Sequence, residues 1–236
     1  MPAPRPARSG WPSLCAICRG WGRGRVCAAC LGRFAAVVPR CRRCALPSPA
    51  AALVCGACQA TPPPFDAALA CVDYGAPWDQ LIADFKFHDG LDLGAVFATA
   101  IADEAMRQDV DPATLLLPVP LGAARLRERG YNQAWQLARQ IARRLRLAAD
   151  PHLLLRVRET PHQLALPPEQ RADNVRGAFA VEPRRRSEIA GRHVAVVDDV
   201  LTTASTVAEI SRVLAQAGAA SVQVWVFART PRPGGV

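Results

Sequence analysis

The strongest indication of the fold comes from the segment His193-Val-Ala-Val-Val-Asp-Asp-Val-Leu-Thr-Thr-Ala-Ser-Thr206. Its apolar run, residues 194–197, is bounded by turn signals, and neither face of the run is polar. This pattern predicts a strand of a parallel sheet that is buried on both faces. Asp198 and Asp199 are expected at the carboxyl edge of that strand. Apolar residues then recur at helical spacing from Val207 to Leu214, which predicts an amphipathic helix. The stretch therefore predicts a strand, a polar turn and a helix in direct succession.

The turn between this strand and this helix is rich in hydroxyl groups and small side chains. Its residues are Thr202, Thr203, Ala204, Ser205 and Thr206. Backbone N–H groups at a helix N-terminus attract phosphate, and two adjacent carboxylates accept hydrogen bonds from paired hydroxyls or approach a metal ion. Together these groups favour a ribose that carries a 5-phosphate. The simpler alternative is that the acids and the threonines only cap the helix.

The whole stretch resembles the phosphoribosyl-pyrophosphate (PRPP) motif of type I phosphoribosyltransferases. That motif consists of an apolar strand, two acids, two apolar residues and then Thr-Thr-Gly-x-Thr. Ala204 departs from it, because glycine is usual at this position. If the turn requires a positive φ here, alanine carries a steric penalty, and PRPP binding is then expected to be weakened or lost.

Length and composition limit the class of protein. The chain has 236 residues, half of them hydrophobic, which is enough for one α/β domain and a small additional module. The first residues lack the apolar segment of a signal peptide, and no run of about 18 apolar residues could span a membrane. We therefore expect a cytoplasmic protein with no membrane insertion.

Positive charge is concentrated near the N-terminus. Residues 1–65 contain nine arginines and no acid, so the formal net charge of +9 belongs to this part of the chain. A basic surface of this kind favours a polyanionic partner such as single-stranded DNA. The alternative is that some of these arginines neutralise thiolate clusters in the same segment.

The same segment contains four Cys-x-x-Cys motifs. They are formed by Cys15 and Cys18, Cys27 and Cys30, Cys41 and Cys44, and Cys55 and Cys58. Two thiolates separated by two residues can bind one ion from a tight turn, and two such turns complete a tetrahedral site. The spacing predicts two structural Zn²⁺ ions that contribute to folding, bound either by sequential pairs or in a cross-braced arrangement. Disulfides are the competing interpretation, but thiols stay reduced in a protein without a secretory signal.

Strand and helix patterns alternate along the rest of the chain. We predict strands at 65–74, 115–120, 153–157 and 221–228, and helices at 78–87, 93–106, 131–147 and 205–217. This alternation predicts an α/β fold with a mainly parallel sheet and helices on both faces. The predicted domains are a cysteine-rich module at 1–60, a proline-rich linker at 61–64 and the α/β domain at 65–236.

Other polar groups are expected at the same carboxyl edge, where ligands bind to sheets of this kind. The turn at 118–122 leads to Arg125 and Arg129, and it could hold pyrophosphate with its backbone amides. Arginines on the solvent face of a helix are the alternative. The polar segment 156–177 is either a mobile cover for the site or a plain surface loop.

Further motifs lie outside the acidic stretch. In chain order they are Phe-Lys-Phe-His-Asp-Gly at 85–90, Pro-Val-Pro-Leu at 118–121, Arg-Gly-Tyr-Asn-Gln-Ala at 129–134, Gln163, and Arg171-x-x-Asn-Val-x-Gly-Ala-Phe179. With the cysteine motifs and the acid pair, this combination resembles the ComF family of competence-associated, phosphoribosyltransferase-like proteins. The resemblance implies a zinc-binding module on a type I phosphoribosyltransferase fold, involved in the uptake or processing of single-stranded DNA during natural transformation.

The resemblance also implies roles for individual residues. Asp198 and Asp199 would face the ribose hydroxyls as the catalytic pair, and the turn from Thr202 to Thr206 would bind the 5-phosphate. The pyrophosphate would lie against Leu121 and Arg125, and it would also meet Lys86, the only lysine of the chain.

Three hypotheses follow for the function. The first is Mg²⁺-dependent transfer of a phosphoribosyl group from PRPP to an unknown acceptor, with cationic groups neutralising the departing pyrophosphate. The second is a non-catalytic protein that handles single-stranded DNA and keeps a regulatory or vestigial PRPP pocket. The third is a structural zinc module that docks onto DNA-uptake proteins.

Overall fold

The computed structural model describes residues 12–48, 53–87, 90–159 and 174–231 of the chain. It divides into two compact units, Met1–Ala36 and Val37–Val236. In the smaller unit, strands β1 (Pro12–Leu14) and β2 (Trp21–Arg23) form an antiparallel pair, and helix α1 (Ala28–Phe34) follows. No helix of the described segments is long and apolar enough to cross a bilayer.

The larger unit contains a longer series of elements. In chain order they are α2 (Gly56–Ala60), β3 (Ala67–Asp73), α3 (Trp78–Phe87), α4 (Leu93–Arg107), β4 (Leu115–Pro118), α5 (Ala123–Arg129), α6 (Gln133–Leu145), β5 (Ala148–Ala149), β6 (Leu154–Arg156), β7 (Phe179–Val181), a 3₁₀ helix (Pro183–Glu188), β8 (His193–Leu201), α7 (Ser205–Gln216) and β9 (Ser221–Arg229). Five of these strands form a parallel sheet in the order β3-β9-β8-β4-β5. The predicted mainly parallel sheet is thus confirmed.

Helices cover both faces of this sheet. Leu214 of α7 packs in one buried cluster with Val224 of β9. Phe227, which lies on the opposite face of the same strand because side chains alternate, stacks on Phe97 of α4 at 4.1 Å and meets Trp78 of α3 edge-on at 5.1 Å. Burial on both faces explains why the central strands are almost continuously apolar.

Three differences between the observed and the predicted elements concern the sheet and the site. Strand β8 continues past residue 197 to Leu201, because β9 remains paired with it. β6 and β7 form a separate antiparallel ribbon outside the main sheet. Helix α5 occupies a segment predicted as a loop; it buries none of its side chains, so its sequence has no apolar period to reveal it.

The second half of the cysteine-rich segment is part of the larger unit. The backbone N–H of Ala68, on the edge strand β3, donates to the carbonyl of Arg42 at 2.8 Å, and Arg40 forms an ion pair with Asp73 at 2.7 Å. These contacts attach the chain around Cys41 and Cys44 to the edge of the sheet. The division of the chain at residues 61–64 stays a prediction.

Candidate functional site

Eight cysteines form two separate groups of four. The four sulfur atoms in each group lie within 4.8 Å of one another, and the groups are Cys15, Cys18, Cys27 and Cys30, and Cys41, Cys44, Cys55 and Cys58. The motifs are therefore combined sequentially. Each group could hold a metal ion, because its sulfur atoms converge on one point.

Backbone N–H groups stabilise thiolates in both groups. The N–H of Cys27 points to Sγ of Cys15 at 3.4 Å, and the N–H of Cys55 points to Sγ of Cys41 at 3.2 Å. Burial acts to raise the pKa of Cys15, but the surrounding backbone N–H groups outweigh it and lower that pKa to about 6. The same balance lowers the pKa of Cys41 to about 7. Thiolates are the form of cysteine that binds metal.

The acid pair lies where β8 loses one of its two neighbours. Pro118, the last residue of β4, is opposite Val197, whereas β9 remains paired with β8 as far as Leu201. Asp198 and Asp199 therefore lie on β8 just beyond the point where its pairing with β4 ends. Since successive side chains of a strand point to opposite faces, the two carboxylates have different neighbours.

Asp199 faces the helix α3. Its Oδ1 lies 3.1 Å from Nζ of Lys86, and the Asp199 side chain is only 4% exposed. Burial acts to lower the pKa of Lys86, but the charges of Asp199 and Asp198 reverse this and raise it above its usual value. Oδ2 of Asp199 is a buried acceptor without a hydrogen-bond partner among the described residues.

Asp198 faces the hydroxyl-rich turn. It lines a cavity of about 70 Å³ together with Thr202, Ser205 and Thr206. Burial and the neighbouring Asp199 carboxylate raise the pKa of Asp198 to about 7. A carboxylate, several hydroxyls and the N-terminus of a twelve-residue helix thus surround one small space.

The N-cap residue of this helix carries no hydroxyl group. Ala204 occupies the N-cap position, where no side chain makes a capping hydrogen bond, and its φ of 65° lies in the left-handed region. Oγ1 of Thr203 instead lies 3.1 Å from Oγ of Ser205. The residue at the N-cap position therefore does not cap the helix through its side chain. The positive φ also means that alanine is strained at this position.

Aromatic and cationic groups surround Lys86. The Arg129 guanidinium lies over the ring of Phe87, 4.6 Å from its centroid, and donates to Oε1 of Gln133 at 3.0 Å. The Tyr131 hydroxyl donates to the carbonyl of Phe85. These contacts fasten the C-terminal part of α3 to the segment that precedes α6. Phe87 was not predicted as part of the site.

The predicted pyrophosphate turn already contacts an anion. A Cβ atom at Gly122 would lie 2.2 Å from Oε2 of Glu159, so this carboxylate rests directly on the glycine backbone. Burial and the like charge of Arg129 lower the pKa of Arg125, while Glu159 acts in the opposite direction. The turn is held in place by Asn132, whose Nδ2 donates to the carbonyl of Val119. The contact of Glu159 could not be predicted from a local pattern, because Glu159 is far from Gly122 in the chain.

Some predicted features lie outside the described residues. These are His88 and Asp89 of the first motif, Gln163, Arg171, and most of the segment proposed as a cover. The roles predicted for Lys86, Leu121, Arg125, Asp198, Asp199 and the turn from Thr202 to Thr206 stay predictions, although the structure brings Lys86, Asp199, Asp198 and the turn to one edge of the sheet.

Comparison with known proteins defines the class of protein. The family described as "Phosphoribosyl transferase domain" matches residues 91–235. The "DNA utilization protein YhgH" of Salmonella typhimurium is 34% identical over 93% of this chain and 98% of its own length. "Competence protein F" of Haemophilus influenzae is 32% identical over 91% of this chain and 96% of its own length.

The chain belongs to the ComF family, in which a cysteine-rich module accompanies a phosphoribosyltransferase domain. Among solved structures, the glutamine PRPP amidotransferase of B. subtilis is 17% identical over 60% of this chain and 29% of that chain, with a TM-score of 0.40. This similarity is too low to support any statement about function.

Proposed function

We propose that the protein binds PRPP at the carboxyl edge of β8 and acts in the handling of DNA, in the cytoplasm. The observation that carries this proposal is the cavity shared by Asp198 and the hydroxyls of Thr202, Ser205 and Thr206. The cavity combines an acceptor for sugar hydroxyls with a helix N-terminus for phosphate. The names of the relatives, which refer to DNA utilization and competence, support the biological role.

Phosphoribosyl transfer to an acceptor is the reaction that this arrangement fits. Asp198 and Asp199 would accept hydrogen bonds from ribose hydroxyls, and the turn would hold the 5-phosphate. Lys86 and Arg125 would neutralise negative charge on the departing pyrophosphate. Mg²⁺ bound with PRPP would add further charge neutralisation.

Calorimetric titration with PRPP in the presence of Mg²⁺ tests the proposal. We expect Asp198→Asn to weaken binding at least tenfold, because the substitution removes a charged acceptor. Asp111→Asn is the matched control, since Asp111 lies beside His193 at the amino end of β8. Equal affinities of the wild type and Asp198→Asn would overturn the proposal.

We also propose that both cysteine groups bind Zn²⁺. Sulfur atoms about 2.3 Å from a tetrahedral zinc lie about 3.8 Å apart, and this is the distance observed between Cys18 and Cys27 and between Cys44 and Cys55. Metal analysis should find two zinc ions per chain. Cys18→Ser and Cys55→Ser should each lose one ion, and full metal content in either variant would contradict the assignment.

A second candidate function, the binding of single-stranded DNA, is favoured by one specific surface. Trp21 on β2 is 77% exposed, and Arg19 and Arg23 beside it are also exposed. Exposed aromatic rings stack on bases and arginines bind the phosphate backbone. Trp21→Ala should weaken the binding of a labelled oligonucleotide several-fold in anisotropy titrations, with Leu14→Ala as the control. Affinity that does not fall with added salt would argue against this function.

A further inference from the structure

Arg229 connects the second cysteine group to the hydroxyl-rich turn. It is the last residue of β9 and is only 8% exposed. Its Nε donates to the carbonyl of Cys44 at 2.8 Å, and its Nη1 lies within hydrogen-bond distance of the carbonyls of Leu201 at 2.8 Å, Thr202 at 2.5 Å and Thr230 at 2.9 Å. One side chain therefore bridges a cysteine of the second group and the first residues of the turn.

The guanidinium group is suited to this connection by its shape. Its N–H donors point in fixed directions within one plane, so the position of one acceptor constrains the positions of the others. A buried cation also needs its acceptors in place, because desolvated charge without hydrogen bonds is costly. A displacement of the Cys44 carbonyl therefore affects the orientation of the Leu201 and Thr202 carbonyls.

Metal binding would fix the position of the Cys44 carbonyl, which accepts the hydrogen bond from Nε of Arg229. Cys41 and Cys44 belong to the same tight turn, in which the N–H of Ala45 donates to the carbonyl of Cys41 at 2.8 Å. A tetrahedral ion that binds both sulfurs holds the turn, and the Cys44 carbonyl with it. Without the ion, the Cys44 carbonyl is held less firmly against Arg229.

We propose that Arg229 is a positioning residue that couples metal occupancy of the second cysteine group to sugar-phosphate binding by the turn from Thr202 to Thr206. The inference rests on the proposed PRPP binding described above. Metal in the second group orders the Cys44 carbonyl, which orients the guanidinium. The guanidinium then holds the main chain at Leu201 and Thr202, where the hydroxyl-rich turn begins. The first cysteine group belongs to the other compact unit, and its metal is the natural control.

The coupling must act in both directions. If metal in the second group strengthens PRPP binding by some factor, bound PRPP strengthens metal binding by the same factor. Couplings of this kind commonly amount to about fivefold to 150-fold. The release of metal from the second group should therefore become slower when PRPP is bound.

Two full-length variants, each with one cysteine group intact, separate the two groups. Cys18→Ser keeps the second group, and Cys55→Ser keeps the first. Zinc release to a zinc-selective chromophoric chelator is measured with and without saturating PRPP and Mg²⁺. We expect PRPP to slow release about tenfold in Cys18→Ser and to leave the rate unchanged in Cys55→Ser. PRPP should also bind about tenfold more weakly to Cys55→Ser than to Cys18→Ser.

Substitution of the arginine itself tests its role. Arg229→Lys keeps the charge but offers a single donor nitrogen, so it cannot reach the same carbonyls together. In the Cys18→Ser background, this substitution should abolish the effect of PRPP on zinc release. Arg212→Lys, on the exposed face of α7, is the control and should preserve the effect. If Arg229→Lys fails to fold, the measurement on Cys18→Ser with the native arginine still decides the question.

The outcomes distinguish the inference from the proposed function. Absence of PRPP binding by the wild-type protein overturns the proposed function, and the inference with it. PRPP binding accompanied by unchanged zinc release from the second group overturns the inference alone. Equal slowing at both groups also overturns it, because the proposed connection runs through the hydrogen bond from Arg229 to Cys44 of the second group.

Discussion

Nζ of Lys86 and Oδ1 of Asp199 lie 3.1 Å apart, and this ion pair joins helix α3 to strand β8 at the edge where the sheet opens. The pair is largely withdrawn from water, since the Lys86 and Asp199 side chains are 22% and 4% exposed. Opposite charges are therefore already matched in the protein before a ligand arrives. A ligand that recruits Lys86 must compete with Asp199 for it.

Replacing Lys86 by methionine leaves the Asp199 carboxylate buried without its cation. Removing one partner of a buried ion pair costs about 3–5 kcal/mol, and the partial exposure of Lys86 reduces the expected loss to about 2 kcal/mol. We expect this loss in chemical denaturation at pH 7. Lys86→Arg keeps the charge and should lose less than half as much. Equal stability of Lys86→Met and the wild type would show that the ion pair does not contribute.

The raised pKa of Asp198 makes the stability of the protein depend on pH. Its pKa is raised to about 7 in the folded protein, whereas an unfolded aspartate titrates near 3.9. The folded state therefore binds more protons between these values, and the contribution of Asp198 to stability declines as pH rises from about 4 to about 7. After allowance for solvent screening at this half-buried group, the decline should amount to about 1–2 kcal/mol.

The substitution Asp198→Asn should remove this decline. Denaturation midpoints measured at pH 5 and at pH 7.5 should then differ less in Asp198→Asn than in the wild type. Asp103→Asn, at a surface carboxylate that pairs with Arg144, should show the wild-type difference. An unchanged pH dependence in Asp198→Asn would mean that this carboxyl is not the group that titrates.

Ala204 carries backbone strain in the middle of the hydroxyl-rich turn. Its φ of 65° costs a residue with a Cβ atom about 1–2 kcal/mol relative to glycine, and the greater freedom of unfolded glycine offsets about half of that. Ala204→Gly should therefore stabilise the protein by about 0.5–1 kcal/mol and strengthen PRPP binding. Ala204→Val should do the opposite, because β-branched residues fit this region worst. Thermal unfolding and calorimetric titration measure both effects, and a loss of stability in Ala204→Gly would contradict the argument.

Glu159 places a carboxylate where the predicted pyrophosphate would lie. Because its Oε2 rests on the backbone of Gly122, a bound anion must displace it or face its charge. Glu159→Gln should strengthen the binding of inorganic pyrophosphate several-fold, an effect of roughly 1 kcal/mol. Glu182→Gln, in the segment that leads into the 3₁₀ helix, is the control. Weaker binding by Glu159→Gln would show instead that the carboxylate helps to organise the turn.

Local patterns were sufficient to predict much of this protein. The apolar run before Asp198 predicted a parallel strand, and the cysteine spacing predicted two four-cysteine groups, because both signals depend on residues that are near neighbours in the chain. The contacts of Arg229 and Glu159 could not be predicted in this way. Arg229 and Cys44 are 185 residues apart in sequence, and only the folded sheet brings them together. Helix α5 was not predicted, because it has no buried residues and its sequence therefore shows no apolar helical pattern.

The attachment of the second cysteine group to the sheet gives a further prediction about metal removal. β3 is an edge strand of the sheet. On its open side, the N–H of Ala68 donates to the carbonyl of Arg42. An edge N–H that loses its acceptor becomes exposed to water. In Cys55→Ser, the Ala68 amide should therefore exchange with deuterium at least tenfold faster than in the wild type.

Two controls make this measurement specific. The amide of Val119, which donates to the carbonyl of Val197 at 2.9 Å, lies away from this edge and should exchange at its wild-type rate in Cys55→Ser. Cys18→Ser, which changes the group in the other compact unit, should leave the Ala68 amide protected. If Ala68 stays protected in Cys55→Ser, the chain around Arg42 holds its position on the sheet without metal, because its ion pair between Arg40 and Asp73 and its hydrogen bonds are then sufficient.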